Sequence, residues 1–250
     1  MNATDTLPTV LRRLGLSTIV REHEALIQQA ESANWGYRRF LLQIAEREDQ
    51  ERCTRRVARL SKDSGIPAEF TLTLLDPVKI PPQPRRLLPT LRSGDFVRRG
   101  DTICAFGLPG AGKSAYCGAL CRDLIEQYQM KVLFLAAYKL VNRLRQAKCD
   151  LQLPTYLAKL NGYDVVICDD ISYITQTIEE NDVLFAFFAE RYEKQKSTIV
   201  TSNLVFSQWD QIFKNSMTAA AIIDRLVHRG VQLDFGKESL RANAAKARRD

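Results

Sequence analysis

The chain has 250 residues, 45% of them hydrophobic and 26% charged, with a formal net charge of +7. That length holds one substantial domain and a small appendage, and the composition is ordinary for a folded globular protein. No run approaches the roughly 18 consecutive apolar residues of a membrane span. Residues 1–8 lack the basic-then-apolar order of a secretory leader, so the expectation is a cytoplasmic protein with no membrane partner. The positive balance points to an acidic partner, most commonly nucleic acid, although charge alone does not decide it.

Residues 1–75 read as a helical N-terminal domain for binding DNA or a protein partner. Phe40, Leu41, Ile44 and Ala45 recur there at helical spacing. Across residues 38–62, eight basic side chains (Arg38, Arg39, Arg47, Arg52, Arg55, Arg56, Arg59, Lys62) stand against four acidic ones (Glu46, Glu48, Asp49, Glu51). One reading is a solvated face laced with i, i+4 ion pairs, Glu48 with Arg52 and Glu51 with Arg55. The other is a surface for DNA or a partner, because the half from Arg52 onward is basic without matching acids.

Residues 76–94 are rich in proline: Pro77, Pro81, Pro82, Pro84 and Pro89. Proline lacks a backbone donor and fixes φ, so the stretch is predicted to be neither a continuous helix nor a central strand. It is expected to be a linker, with a domain boundary near residue 75.

From 95 to 241 the pattern alternates. Short β-branched runs (TICAF at 102–106, VLFLA at 132–136, DVVIC at 164–168, STIVT at 197–201, GVQLD at 230–234) are separated by helical stretches. Near-continuous apolar strands with helices between them predict a parallel sheet covered on both faces, an α/β doubly wound domain. Residues 242–250 form a basic tail. Of the six cysteines, Cys104, Cys117, Cys121 and Cys168 lie in or beside apolar segments and are expected to be buried thiols. A zinc site at Cys117 and Cys121 is the weaker reading, since no second Cys or His pair accompanies them and the only histidines are His23 and His228. Trp35 and Trp209 are expected in the core.

Three motifs carry chemistry. Gly107-Leu108-Pro109-Gly110-Ala111-Gly112-Lys113-Ser114 matches the Walker A pattern G-x-x-x-x-G-K-[ST]. Glycines let the backbone curl so that successive N–H groups, up to that of Ala115, face a β-phosphate. The helix expected from Lys113 places its positive end against the same charge. Lys113 neutralises phosphate oxygens, and the Ser114 hydroxyl is a magnesium ligand. The second motif, Val165-Val166-Ile167-Cys168-Asp169-Asp170, is an apolar strand ending in two carboxylates, about 55 residues downstream. Asp169 is placed to hold Mg2+ and Asp170 to orient or deprotonate a water. Third, STIVT runs into Ser202-Asn203. Arg225 and Arg229, in AAIIDRLVHRG, and Arg191, in AERYEKQ, are candidates to supply positive charge to a transition state.

The order of GLPGAGKS, VVICDDISY, FFAERYEKQKSTIVTSNLVFSQWDQIF and IIDRLVHRG resembles the IstB/DnaC-like family of AAA+ ATPases, and its detail the IstB branch, the helper ATPases of insertion-sequence transposition. The resemblance covers about residues 95–241. It departs at Ser114, where Thr is usual, at Asp170, where many relatives carry Glu, and at Gly236–Arg241, where a Gly-x-Ser-Tyr-Arg run is usual. It implies an AAA+ P-loop NTPase core with a five-stranded parallel sheet, a small all-helical domain before it, and no C-terminal lid. It also implies a water-positioning role for Asn203 on a strand between those of the two Walker motifs. ATP with Mg2+ would lie at the junctions of a homo-oligomer, ring or helical, with Arg225 reaching a neighbour's γ-phosphate. The implied function is ATP-dependent assembly on double-stranded DNA, selecting or remodelling the target and recruiting and stimulating a cognate transposase. A helicase loader of the DnaC kind is the alternative. A small-molecule kinase fits poorly, because no arginine-rich lid segment follows the core. Lys139, Arg143 and Arg145, outward from a face whose Leu140 and Leu144 turn inward, are the candidate DNA contacts in such relatives; a solvated basic face is the plain reading.

Overall fold

A computed structural model of the chain describes residues 6–173, 177–213 and 216–236. It divides into two compact units, residues 1–59 and 60–250. The first holds α1 (Leu7–Arg13), α2 (Ser17–Ser32) and most of α3 (Tyr37–Ser64). Glu48, on α3, is buried, and its Oε2 accepts the backbone N–H groups of Thr18 and Ile19 at 2.9 and 3.1 Å. It thereby satisfies two donors that the start of α2 leaves without intrahelical partners. The expected pair of Glu48 with Arg52 forms at 2.8 Å. The pair of Glu51 with Arg55 does not: Arg55 donates to the Glu51 backbone carbonyl, to Ser17 Oγ and to Thr18 Oγ1. Trp35 is only half-buried, with the Arg39 guanidinium 4.7 Å from its ring centre, so its placement in a core is corrected. Leu41 and Leu42 are exposed.

The second unit is built on a five-stranded sheet of β1 (Thr102–Phe106), β2 (Val132–Ala136), β3 (Val165–Asp169), β4 (Ser197–Ser202) and β5 (Gly230–Asp234). The order is β2-β3-β4-β1-β5 and every pairing is parallel. Ile199 of β4 lies opposite Ile103 on one side and Ile167 on the other. All five residues of β1 and all six of β4 are buried, as central strands of a sheet covered on both faces must be, although four of the six in β4 are Ser or Thr. Covering helices are α6 (Lys113–Tyr128), α7 (Ala137–Cys149), α8 (Leu153–Asn161), α9 (Ile178–Glu193) and α10 (Ser216–His228). Thr177 and Glu180 close a capping box on α9. Trp209 is fully buried against Phe206 and Phe213. Cys104, Cys117, Cys121 and Cys168 are buried, and loss of solvation raises each thiol's pKa, so none is poised as a thiolate at neutral pH.

The expected linker is corrected. Residues 82–92 form α4 (Pro82–Arg92), with α5 (Asp95–Arg99) following. Pro82 and Pro84 fall in the first turn, where backbone N–H groups lack intrahelical partners anyway; only Pro89 costs a helix bond. The helix is also held from outside. Gln83 donates to Gln232 O and accepts from Asp234 N, satisfying the open edge of β5 with a side-chain amide. Tyr116 Oη donates to Pro84 O, and Arg92 grips Asp123 with two bonds of 2.9 Å. Residues before the prolines are tied in as well: Arg122 donates to the carbonyls of Ile66, Pro67 and Phe70. A Cβ on Gly118 would stand 2.6 Å from the Phe70 ring, so the segment at 66–70 packs directly on α6. The boundary expected near residue 75 therefore falls at 59/60. Residues 237–250, with Arg241, the basic tail and the segment on which the absence of a lid rests, lie outside the described residues.

Candidate active site

The phosphate loop joins β1 to α6. Gly107 has φ 148°, and a Cβ there would stand 2.8 Å from that of Phe235, so the loop must begin on a residue without a side chain. Gly112 precedes the helix at φ 94°, a conformation that glycine adopts at no steric cost. Between them Leu108 and Pro109 are exposed, and Ala111 N donates back to Leu108 O at 3.1 Å, curling the chain. Gly110, with φ 82°, completes the turn. Ser114 and Ala115 open the first turn of α6, where N–H groups point out of the helix end.

Lys113 is buried at 6% exposure. Its Nζ donates to Gly107 O at 2.7 Å, to Leu108 O at 3.0 Å and to Asn203 Oδ1 at 2.8 Å. Asn203 in turn donates from Nδ2 to Asp170 Oδ1 at 3.2 Å. A single side chain thus bridges the loop lysine and the second carboxylate after β3. The expected insertion of β4 between β1 and β3 creates this bridge, since it delivers Asn203 from the strand that separates the two motifs.

Two residues absent from the sequence-level candidates hold this arrangement. Thr201, in β4, donates its hydroxyl to Asp169 Oδ1 at 2.7 Å and accepts the Asp170 backbone N–H at 2.8 Å. Ser172, in a 3₁₀ turn (Ile171–Tyr173), accepts the Asn203 backbone N–H at 2.8 Å and pairs with Ser202 Oγ at 2.9 Å. Their signal was visible only as a run of hydroxyls, TS at 201–202 and S at 172, next to candidate carboxylates. Asp170 lies at φ 64°, a left-handed conformation that Asp tolerates better than most side chains.

The donor set of Ser114 hydroxyl and Asp169 carboxylate is all oxygen, the chemistry of a hard divalent cation such as Mg2+. Among the described residues no group of three or more His, Cys, Asp or Glu is arranged to hold a metal.

The arginines separate cleanly. Arg191 is removed from the candidates for action on a neighbour. At 2% exposure it donates to the carbonyls of Leu160, Tyr163, Asp164 and Ser197 and to Thr198 Oγ1. Burial lowers its pKa to about 9, which leaves it a cation at neutral pH but one committed to backbone carbonyls. Arg225 is half-buried; its guanidinium lies 5.0 Å from the Phe185 ring centre and donates to Ala221 O. Arg229 is exposed, 5.9 Å from the Tyr192 ring centre. Neither makes an ion pair among the described residues.

On α7, Leu140 and Leu144 are fully buried, as expected, while Lys139 and Arg143 are exposed. Arg145 is corrected: the acids of the first turn of α9 hold it, Glu180 at 3.1 Å and Glu179 at 3.9 Å. No helix among the described residues is long and apolar enough to cross a membrane.

The parallel order β2-β3-β4-β1-β5, with a glycine loop feeding α6 and paired carboxylates at the end of β3, defines an AAA+ P-loop NTPase core. The chain belongs to the family described as IstB-like ATP binding protein, whose model matches residues 9–248. It is 34% identical to a Sinorhizobium fredii protein whose name assigns it to an insertion sequence and to ATP binding, over 96% of this chain and 80% of that one. It is 32% identical to the protein so named for insertion sequence IS21 of Pseudomonas aeruginosa, over 94% of this chain and 88% of that one. Among solved structures DnaI shares the fold, with a TM-score of 0.57 at 17% identity over 68% of this chain and 94% of that one.

Proposed function

We propose that this protein is an Mg2+-dependent ATPase that assembles on double-stranded DNA as a homo-oligomer and assists a transposase in insertion-sequence transposition. The observation that carries the ATPase part is the line Lys113–Asn203–Asp170, which joins a phosphate-loop cation to a carboxylate through one amide. The names of the relatives support the transposition role over a helicase loader.

In this reading the backbone from Gly107 to Ala115 wraps the β-phosphate, and Lys113 exchanges its carbonyl partners for phosphate oxygens. Ser114 and Asp169 hold Mg2+, which when bound offsets charge on the phosphates. Asp170 accepts a proton from the attacking water or orients it, and Asn203 reports phosphate occupancy from Lys113 to Asp170. Arg225, free of acid partners among the described residues, supplies charge from a neighbouring subunit, with Arg229 as the alternative. Lys139 and Arg143 contact DNA phosphates, giving affinity that depends on salt more than on sequence.

The test is ATP binding and turnover by the full chain, with and without duplex DNA and Mg2+. Lys113→Ala is expected to abolish nucleotide binding, and ATP affinity equal to wild type would remove the site. Mixing Arg225→Ala with Lys113→Ala subunits is expected to restore part of the turnover that each lacks alone, since one subunit then supplies the cradle and the other the arginine.

A further inference from the structure

On the N-terminal unit a groove of about 360 Å3 is lined by Gly15, Arg52, Arg55, Arg56 and Arg59. The four arginines occupy i, i+3, i+4 and i+7 of α3 and so share one helix face. All four are exposed, and Glu48 is the one acid paired with any of them among the described residues. Two of the four are fixed in place. Arg52 donates to Glu48 Oε1 and to Gly15 O, each at 2.8 Å, and Arg55 donates to Ser17 Oγ at 2.8 Å and lies 3.6 Å from Glu48. Arg56 and Arg59 have neither a hydrogen bond nor an ion pair among the described residues. Four guanidinium groups against one carboxylate, itself turned toward the start of α2, leave the groove strongly cationic.

We infer that this groove is a contact site for the sugar–phosphate backbone of DNA, on the unit that carries neither the phosphate loop nor α7. The inference rests on the DNA-binding reading above and adds contacts that reading does not use. Guanidinium forks match phosphate oxygens with paired N–H groups, and the fixed Arg52 and Arg55 have already lost part of the freedom that binding would take away. The rise from residue 52 to 59 is about 10 Å, so with their long side chains the arginines reach more than one phosphate along a strand. An acidic peptide is the poorer fit. Arginine does anchor protein interfaces, but there it is desolvated beside aromatic side chains in closed pockets, whereas these four are exposed and the lining offers no aromatic or apolar side chain.

The experiment uses the full chain with Arg56→Ala and Arg59→Ala combined, two side chains whose loss breaks no internal bond. The readout is binding to a labelled mixed-sequence duplex across a salt series, with ATP affinity and helical content as checks on folding. The double variant is expected to bind about tenfold more weakly at physiological salt. Its slope of log affinity against log salt should flatten by about two, one for each lost phosphate contact, with ATP affinity unchanged. The combined lysine variant, Arg56→Lys with Arg59→Lys, is expected to recover most of the slope. Unchanged affinity and slope in the alanine variant would overturn the inference. So would retention of DNA binding together with loss of binding to polyglutamate, which would give the groove to an acidic protein. If the wild-type chain binds no duplex at all, it is the DNA-binding reading itself that fails.

Discussion

Thr201 shows how much of the site depends on a side chain that carries no reactive group. Its hydroxyl orients the Asp169 carboxylate and holds the Asp170 backbone in a left-handed conformation, so one oxygen positions both acids. A Thr201→Val substitution keeps the shape and removes those two bonds. Groups that orient metal ligands typically contribute 10- to 100-fold in metal affinity. The Mg2+ concentration for half-maximal turnover is therefore expected to rise by about that factor, with ATP binding in excess Mg2+ little changed. A turnover curve superimposable on wild type would show that Asp169 needs no such support. Asp170→Ala is the complement: ATP should stay bound and hydrolysis should stop, measured as retained nucleotide with no phosphate release. Asn203 was legible as a candidate because it ends a β-rich run in a recognised motif, but its simultaneous bonds to Lys113 and Asp170 were not, because they join residues 90 and 33 positions apart.

At the scale of elements, two buried charges do structural work. Glu48 ties α3 to the start of α2. Burial alone would raise its pKa, but the hydrogen bonds from Arg52 and from the N–H groups of Ile19 and Thr18 outweigh that and hold it below the ordinary glutamate value. A carboxyl with a lowered folded pKa contributes stability that is fully present above the unfolded value and lost as pH falls through the folded one. Wild-type protein should thus lose N-terminal helix stability as acidification carries the pH below the ordinary glutamate pKa and through the lowered folded one. Glu48→Gln should cost about 1 kcal/mol at neutral pH, in the range of a lost helix cap, and flatten that acid dependence. Thermal melts of the two proteins across the acidic range would show it. Arg191 ties α9 to the end of α8, the turn into β3 and the start of β4 through four carbonyls. Arg191→Leu removes a donor from each of these carbonyls and from the buried Thr198 hydroxyl, and is expected to destabilise the second unit by about 3 kcal/mol or more, seen as a fall in denaturation midpoint. The helix at α4 was hidden from sequence by its prolines. Counting them did not distinguish Pro82 and Pro84, which cost nothing in a first turn, from Pro89, nor reveal that Gln83, Tyr116 and Arg92 would anchor the helix.

For the whole molecule, the charge of +7 is less informative than its distribution. On α7, Arg145 and Lys148 face the acids of α9, Lys148 lying 3.6 Å from Asp182, so they add little net field. Lys139 and Arg143 make no ion pair among the described residues. Lys139→Ala with Arg143→Ala is expected to weaken duplex binding and to flatten its salt slope by about two. Equilibrium titrations at several salt concentrations would check this, and an unaltered slope would place DNA elsewhere on the protein.

The amino-acid order by itself determined the features that depend on local backbone chemistry. Glycines at 107, 110 and 112 feeding a helix, and apolar runs that suit only a doubly covered parallel sheet, are properties of short segments. Their spacing, with carboxylates at the end of β3 and an amide after β4, was enough to set the fold class and to single out the candidate site residues. What the tertiary structure alone decided is the fate of side chains that look equivalent in sequence. Arg191 is buried among carbonyls, Arg145 is held by acids, Arg225 lies over an aromatic ring, and Arg56 and Arg59 line an open groove. The physical reason is that a cation's role is set by the partners and solvent around it, and those arrive from parts of the chain far away in sequence.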